Sequence, residues 1–459
     1  MICIDRTRTP QDLVPRINRL FELSATKIRS IEHTWRPENG APVFTVNGRY
    51  TSRGWTEWTE GFQYGASLLQ FDATGEREFL ELGRERTLTR MAPHLTHVGV
   101  HDHGFNNVST YGALWRLALE GRIEASEWER RFYALALKVS GAVQARRWTT
   151  LPDGGYIYSF NGAHSLFVDT IRSLRALALS HLLGHRLVEE QDAQVNLLTR
   201  LLQHACATAT YNVFSGKGGG PFDVRGRVAH ESLFNVANGT YRGPSTQQGY
   251  SPFSTWTRGL AWAMLGFAEQ LEFLSTLTDD DALESGAADS EAAFVDAARA
   301  TCDFYIESAA CADGIPYWDT GAPGLSALGD WGNRVSDPFN DREPVDSSAA
   351  AIGAQGLLRF GRLLQQRGDD GSRYTQAGLR VLDTLFDDAG PYVSRDPEHQ
   401  GLLLHSVYHW PNGWDHVPAG ARTPRGESSQ WGDYHAREAA LYVKRLAEDG
   451  PYLAFYGPR

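Results

Sequence analysis

Residues 98–115, from Val98 to Trp115, read VGVHDHGFNNVSTYGALW. His101, Asp102 and His103 stand in consecutive positions, Gly104 follows, and after Phe105 the apolar residues recur at helical spacing. A carboxylate flanked by two imidazoles at the mouth of a helix is a place where a proton or a hydroxyl can be handled. Asp102 is also placed to cap the helix, since Asp there accepts from free backbone N–H groups. The same design recurs along the chain. WTEGFQYGASLLQF puts Trp58 and Phe62 at i, i+4. SLFVDTIRSLRALAL holds Asp169 within an apolar run, and STWTRGLAWAMLGFAEQL carries Trp256, Arg258 and Trp262 in its first turns. Helices that are apolar along the body with polar exceptions at one end are what an inner ring of buried helices would show.

Working outward, periodicity and helix punctuation predict helices at about 10–34, 57–71, 75–93, 104–120, 125–145, 164–183, 187–211, 253–274, 289–309, 344–367, 370–388 and 430–447. Strand patterns are few and short, near Pro42–Tyr50, Tyr156–Ser159 and His230–Asn235. Twelve helices with short links alternating with long ones suggest six helical hairpins closed into an all-α (α/α)6 barrel, although helix packing alone does not separate a toroid from a solenoid. Long Gly/Pro-rich connections at about 35–56, 146–163, 212–252, 310–343 and 389–429 fall between helices, where function tends to sit. No linker or low-complexity run divides residues 1–459, which are read as one domain.

Composition narrows the class. The chain is 42% hydrophobic and 22% charged, ordinary for a globular protein, with a net charge of −11. An acidic surface argues against a nucleic-acid partner but leaves room for an anionic substrate held by a local Arg. Of 44 basic residues only Lys27, Lys138, Lys217 and Lys444 are Lys. Cys3, Cys206, Cys302 and Cys311 form neither a CxxC pair nor a zinc spacing. The N-terminus has no signal-peptide pattern and no apolar run reaches membrane length, so a cytoplasmic location without membrane association is expected. Thirteen Trp, 18 Tyr and 21 Phe, many beside Gly or polar residues, suit a carbohydrate site, where rings meet the apolar faces of sugars.

Several residues could carry chemistry. Asp169, among Leu166, Phe167, Val168 and Ile171, is either desolvated, which raises its pKa and suits a general acid, or paired with Arg172. Asp102 offers a second carboxylate, and hydrolases commonly use two. Arg258, read as lying between Trp256 and Trp262, could hold a substrate carboxylate or simply stack for stability. His230 and Gln248 are each weak alone, and Trp58 and Trp148 could be sugar platforms or packing. The His-Asp-His triplet is discounted as a metal site, because neighbouring residues point different ways and no second pair has ligand spacing. No metal or organic cofactor is called for.

The combination of HDHGF, the apolar run carrying Asp169, QGYSPFSTWTRGLAWAMLGF, PYWD, DSSAAAIGAQGLL and WGDYHAREAAL resembles the unsaturated glucuronyl hydrolases, glycoside hydrolase family 88, in order from about Trp58 to the C-terminus. The resemblance implies an (α/α)6 barrel that hydrates the C4=C5 vinyl ether of an unsaturated uronic acid left by a polysaccharide lyase. Protonation at C4 and addition of water at C5 give a hemiketal that opens and expels the second sugar. It implies Asp169 as general acid/base and Asp102 as the second essential carboxylate. It further implies His101, His230, Gln248, Arg258, Trp58, Trp148, Trp256 and Trp262 as substrate-binding, Gln248 and Arg258 toward the uronate carboxylate. The implied partner is an unsaturated uronyl oligosaccharide from a glycosaminoglycan or related acidic glycan. The chain departs from the family's usual pattern at Gln63, at Pro252 and Phe253, and over Thr170–Leu174; these departures bear on the leaving sugar, the linkage and sulfate.

The rival functions are an unsaturated rhamnogalacturonyl hydrolase acting on pectin fragments, a sugar epimerase or isomerase on the same barrel using two opposed histidines, and a sugar-binding protein. Among histidines, His101, His103, His164 and His230 are available to the epimerase reading.

Overall fold

The structure, a computed structural model, describes residues 1–54, 57–281 and 287–458. Trp55 and Thr56, at the end of the loop expected over 35–56, lie outside the described residues. Among the described residues, twelve longer helical runs answer the twelve predicted ones. They are α1 (Pro10–Thr34), α2 (Glu60–Thr74), α3 (Arg77–Arg90), α4 (His103–Asn107, continued through Ala113–Leu119), α5 (Glu127–Arg146) and α6 (Thr170–Ser173 and Arg175–Leu182). There follow α7 (Leu197–Tyr211), α8 (Thr257–Leu274), α9 (Ala287–Phe304), α10 (Ser347–Gln366), α11 (Ser372–Leu385) and α12 (Gln430–Ala447).

The even-numbered helices are the buried ones. Every residue of α8 is buried, and α10 is buried almost to its end. They meet in cyclic order, α2 on α4, α4 on α6, α6 on α8, α8 on α10, α10 on α12, and α12 back on α2. That last contact closes the ring and excludes an open solenoid. The odd-numbered helices lean on the outside with one apolar face each. In α1 this face is Leu13, Ile17, Leu20, Phe21, Ala25 and Ile28, the spacing of an amphipathic helix. The fold is an (α/α)6 barrel.

Glycine lets the inner helices approach. A Cβ on Gly104 would meet the Ser173 backbone oxygen at 2.2 Å; one on Gly61 would meet Asn106 Cα at 2.4 Å; one on Gly266 would meet Ile171 Cγ2 at 2.5 Å. Gly356 against Leu265, Gly432 against Ser348 and Gly65 against Tyr434 repeat the arrangement at the remaining junctions.

Three corrections concern elements around the site. The run expected as a helix over 164–183 opens as a strand, β4 in the series β1 (Phe44–Val46), β2 (Arg49–Thr51), β3 (Gly154–Ile157), β4 (Ser165–Phe167) and β5 (Glu231–Phe234). β4 pairs antiparallel with β5, Phe167 opposite Glu231. The helix expected at 187–211 begins only at α7, after a small hairpin of Leu187–Val188 with Gln194–Val195. Within α4, Val108–Gly112 is π-helical, an insertion that periodicity does not reveal.

Candidate active site

Asp102 is the residue before α4 and Asp169 the residue before α6. Neither side chain caps its helix, so the capping role open to Asp102 in the sequence is not taken up. Both carboxylates turn instead to one imidazole. His101 Nε2 lies 3.1 Å from Asp169 Oδ1 and 3.8 Å from Asp102 Oδ1. The two helix starts are tied behind this trio. Gly104 N donates to Ser173 Oγ at 2.9 Å, and both Ser173 Oγ and Gln144 Nε2 donate to His101 O, at 2.7 and 2.8 Å. Asp169 is therefore not mid-helix, as the apolar run suggested. Strand β4 delivers it to the cavity, and Arg172, its alternative partner in the sequence, pairs with Glu269 and Glu438.

The electrostatics separate the two carboxyls. Burial pushes Asp102 up to about 6, against the opposing pull of His101. Burial acts on Asp169 in the same sense, but the hydrogen bond from His101 and the charges of His101, His230 and Arg258 outweigh it and hold Asp169 below its ordinary value. This reverses the sequence expectation that desolvation raises Asp169. Burial works against charge on His101, yet its two carboxylate neighbours raise its pKa. The trio thus keeps one proton near neutrality, on Asp102 or His101, with Asp169 ionised beside it.

A cavity of about 170 Å³ opens over the trio. His101, Asp102 and Asp169 line it together with Trp58, Gln248, Trp256, Arg258 and Trp262, which brings eight of the ten candidate residues to one place. Arg258 is 1% exposed and clamped: its Cζ lies 4.6 Å from the ring centroids of both Trp256 and Trp431. The expected second indole, Trp262, is displaced from that role by Trp431. Arg258 Nη2 donates to Gln248 Oε1 at 3.0 Å and to Tyr408 O at 2.6 Å, and Nε lies 3.6 Å from Asp346 Oδ2. Nη1 has no hydrogen-bond partner among the described residues, which leaves a fixed, rigid donor for an anion. Trp58 stacks on Trp431 at 5.0 Å, extending the aromatic wall.

His230 stands behind the wall rather than in it. Its Nδ1 accepts from Gln247 N and Gln248 N at 2.9 and 3.3 Å, which sets the Gln248 backbone, and its ring packs on Phe167 and Trp256. Trp148 is not brought to the cavity: its ring lies under the Arg200 guanidinium, 4.8 Å from Cζ. The aromatic that does flank the trio is Phe160, 41% exposed and stacked 6.2 Å from His101. Sequence reading missed Phe160, Phe167, Gln247, Tyr408, His409, Asn412 and Trp414, all on the lining. The segment YHWPNGW, residues 408–414, was legible as an aromatic-rich piece of the 389–429 loop; nothing in it specified which rings face inward. His103 turns away from His101, toward Ser140 Oγ and His97 O at 3.1 and 3.0 Å.

No family model matches the chain. It is 27% identical over 412 residues to the unsaturated glucuronyl hydrolase of Bacillus sp. strain GL1, covering 87% of this chain and 89% of that protein. It is 21% identical over 435 residues to the unsaturated chondroitin disaccharide hydrolase of Streptococcus pyogenes serotype M1, covering 93% and 90%. The crystal structure of the Bacillus sp. GL1 enzyme matches with a TM-score of 0.69 at 22% identity, over 95% of this chain and 97% of that one. With the barrel in common and the alignments running nearly end to end, the chain is similar along most of its length to unsaturated glucuronyl hydrolases and shares their fold.

Proposed function

We propose that this cleft hydrolyses an oligosaccharide carrying a 4,5-unsaturated uronic acid at its non-reducing end, by adding water across the vinyl ether. The observation that carries the reading is the opposition of a two-carboxylate, one-proton trio to a rigid guanidinium across one aromatic cavity. The named activities of the relatives support it. The uronate carboxylate sits on Arg258 and the Gln248 segment, and the ring lies against the indoles. Asp169 is the acid/base because it is the carboxyl that feels Arg258, and C4 is two bonds from the carbon that Arg258 grips.

Asp169 has to gain the proton before it can give it away. The incoming carboxylate supplies the reason. It neutralises Arg258 and adds negative charge near Asp169, so both effects raise the affinity of Asp169 for the proton held on Asp102 and His101. Asp169 then protonates C4, positive character builds at C5 and the ring oxygen, and water adds at C5. The proton lost by that water returns to the ionised carboxylate pair. The hemiketal opens, freeing the second sugar and an open-chain keto uronate. The epimerase reading is weaker, because burial pushes both His230 and His103 down to about 4, too low for an acid–base pair at neutral pH.

The double bond is its own reporter. Lyase-generated disaccharides from glycosaminoglycan, pectin and ulvan, incubated with the protein, are expected to lose ultraviolet absorbance and release the second sugar on at least the glycosaminoglycan products. Loss on pectin fragments alone would transfer the protein to the rhamnogalacturonyl reading. No loss on any member of the panel overturns the proposal. A cytoplasmic location is part of the same reading; among the described residues no helix is long and apolar enough to cross a membrane.

A further inference from the structure

Three inner helices begin around Arg258, and one buried carboxylate ties together three sides of the cage they form. Arg258 is the second residue of α8, Trp431 the second of α12, and Asp346 the residue before α10. Asp346 is fully buried. Its Oδ2 lies 3.6 Å from Arg258 Nε, and neither atom has a hydrogen-bond partner among the described residues, so the pair is held by charge. Its Oδ1 accepts from Ser348 N at 3.0 Å, from Ser348 Oγ at 2.6 Å and from Val407 N at 3.3 Å. Two of those bonds lead back to Arg258. Val407 precedes Tyr408, whose carbonyl accepts from Arg258 Nη2 at 2.6 Å. Ser348 Oγ, its proton committed to Asp346, accepts from Trp431 Nε1 at 3.0 Å, and Trp431 covers one face of the guanidinium. Gly432 brings α12 this close, since a Cβ there would meet Ser348 Cβ at 3.1 Å. Gln248 takes the second bond from Nη2 and Trp256 covers the other face, which leaves Nη1.

We propose that Asp346 is the positioning residue for Arg258: it holds the guanidinium in the one orientation that leaves Nη1 for the uronate carboxylate. It does so directly through Nε, through Val407 on the Tyr408 carbonyl, and through Ser348 on the Trp431 ring. An arginine free to rotate has to be frozen each time a sugar binds, which weakens binding; one frozen beforehand does not. A guanidinium buried without a counter-charge would also turn out toward water. Burial raises the Asp346 pKa, while Arg258 and the donors on Oδ1 act against that rise. Asp346 does not line the cavity, so it reaches the sugar only through Arg258 and its cage. The effect on sugar binding rests on the proposed hydrolase reading, whereas the orientation of Arg258 does not.

The test has two arms. Crystal structures of the parent and of Asp346→Asn compare Arg258 directly. Asn keeps an acceptor for Ser348 and Val407 and still caps α10, but it is uncharged and turns an N–H toward the Arg258 Nε–H. The guanidinium is expected to leave the Trp256–Trp431 sandwich or to split between conformers; a guanidinium unmoved from its parent position overturns the proposal. In kinetics on an unsaturated disaccharide, KM of Asp346→Asn is expected to rise roughly three- to tenfold with kcat changed by less than about twofold. In an Arg258→Ala background the same substitution is expected to change kcat/KM by less than about twofold, because the group it positions is gone. An unchanged KM in the single variant overturns the proposal. So does a fall in KM, the sign expected if Asp346 merely competed with the uronate for the guanidinium, and so does an equal loss in both backgrounds, the mark of a helix cap alone. If Asp346→Asn does not fold, Ser348→Ala takes its place. It breaks the link to Trp431, and KM is expected to rise roughly two- to fourfold in the parent and not in Arg258→Ala; any other pattern overturns the proposal. If the parent turns over no unsaturated sugar, the hydrolase reading falls and the crystal structures still decide the positioning.

Discussion

Asp102 and Asp169 share one histidine and have opposite electrostatics, so their removal should have opposite signatures. Asp169→Asn keeps the shape of the cavity but cannot donate a proton, and kcat on an unsaturated disaccharide is expected to fall about 10³-fold with Kd changed little. A rate within threefold of the parent would assign the acid elsewhere. Asp102 is a stability matter as well. Its folded pKa, about 6, lies above its unfolded value, so the native state is favoured by protonation at low pH and disfavoured once pH rises through 6. Asp102→Asn stays neutral throughout. Its melting temperature is expected to exceed the parent's by roughly one to three degrees at pH 8 and by little near pH 4, with activity lost at both. Calorimetry at the two pH values checks the sign. For Arg258→Ala, kcat/KM should fall roughly tenfold to a hundredfold, mostly through KM. The residues that carry these effects were visible in the sequence because a charge in an apolar run has few harmless explanations. Trp431 and Tyr408 were not, since an aromatic beside a helix start looks the same whether it faces a cavity or a neighbour.

Among elements, the start of α4 against the start of α6 sets the distance between the carboxylates and His101. Gly104 makes that crossing possible, and any Cβ there collides with backbone rather than with a side chain that could swing away. Gly104→Ala is therefore expected to cost about 2–4 kcal/mol of stability and most of the activity together, because the clash spreads the trio. Thermal unfolding and the ultraviolet assay on one preparation test whether the two losses travel together. The misreading of β4 as helix has a physical source. A short apolar run is compatible with a buried strand as well as with a buried helix, and SLFV pairs with Glu231–Leu233 only because a segment some 65 residues later returns beside it. Phe160 was passed over for Trp148 for a related reason: both lie on the same stretch of loop and hairpin, and ring size says nothing about direction.

At the scale of the molecule, the centre of the barrel is ionic. Arg172 bonds to Glu269 and Glu438 at 3.0 and 2.6 Å and reaches His435, while Arg116 and Arg445 both hold Asp72 at 2.7 Å. Burial alone would raise Glu438 and Asp72, but their arginines overcome it and hold both carboxyls below the ordinary range. Such depressed carboxylates stabilise the fold above their unfolded pKa and lose that contribution as pH falls from there through the lowered folded value, which makes acid the natural denaturant. Arg172→Met leaves Glu269 and Glu438 only the more distant Arg175, at 3.7 and 3.8 Å, and is expected to cost about 3 kcal/mol near pH 7, with the loss relieved at lower pH. Circular dichroism melts across pH 4–8 would show the gap to the parent narrowing; a constant gap would mean the arginine acts by packing. The number of helices and their inner and outer alternation were legible from periodicity. Closure was not, because it rests on a contact between α12 and α2 that no local pattern encodes.

That closure has a consequence for the chain as it is made. Arg258 is clamped between Trp256, two residues before it, and Trp431, which enters about 170 residues later on the helix that completes the hoop. A nascent barrel can stack most of its hairpins on the ribosome, yet it holds a loose guanidinium and an open rim until the last one emerges. The two-sided clamp on Arg258 therefore cannot form until α12 has been made.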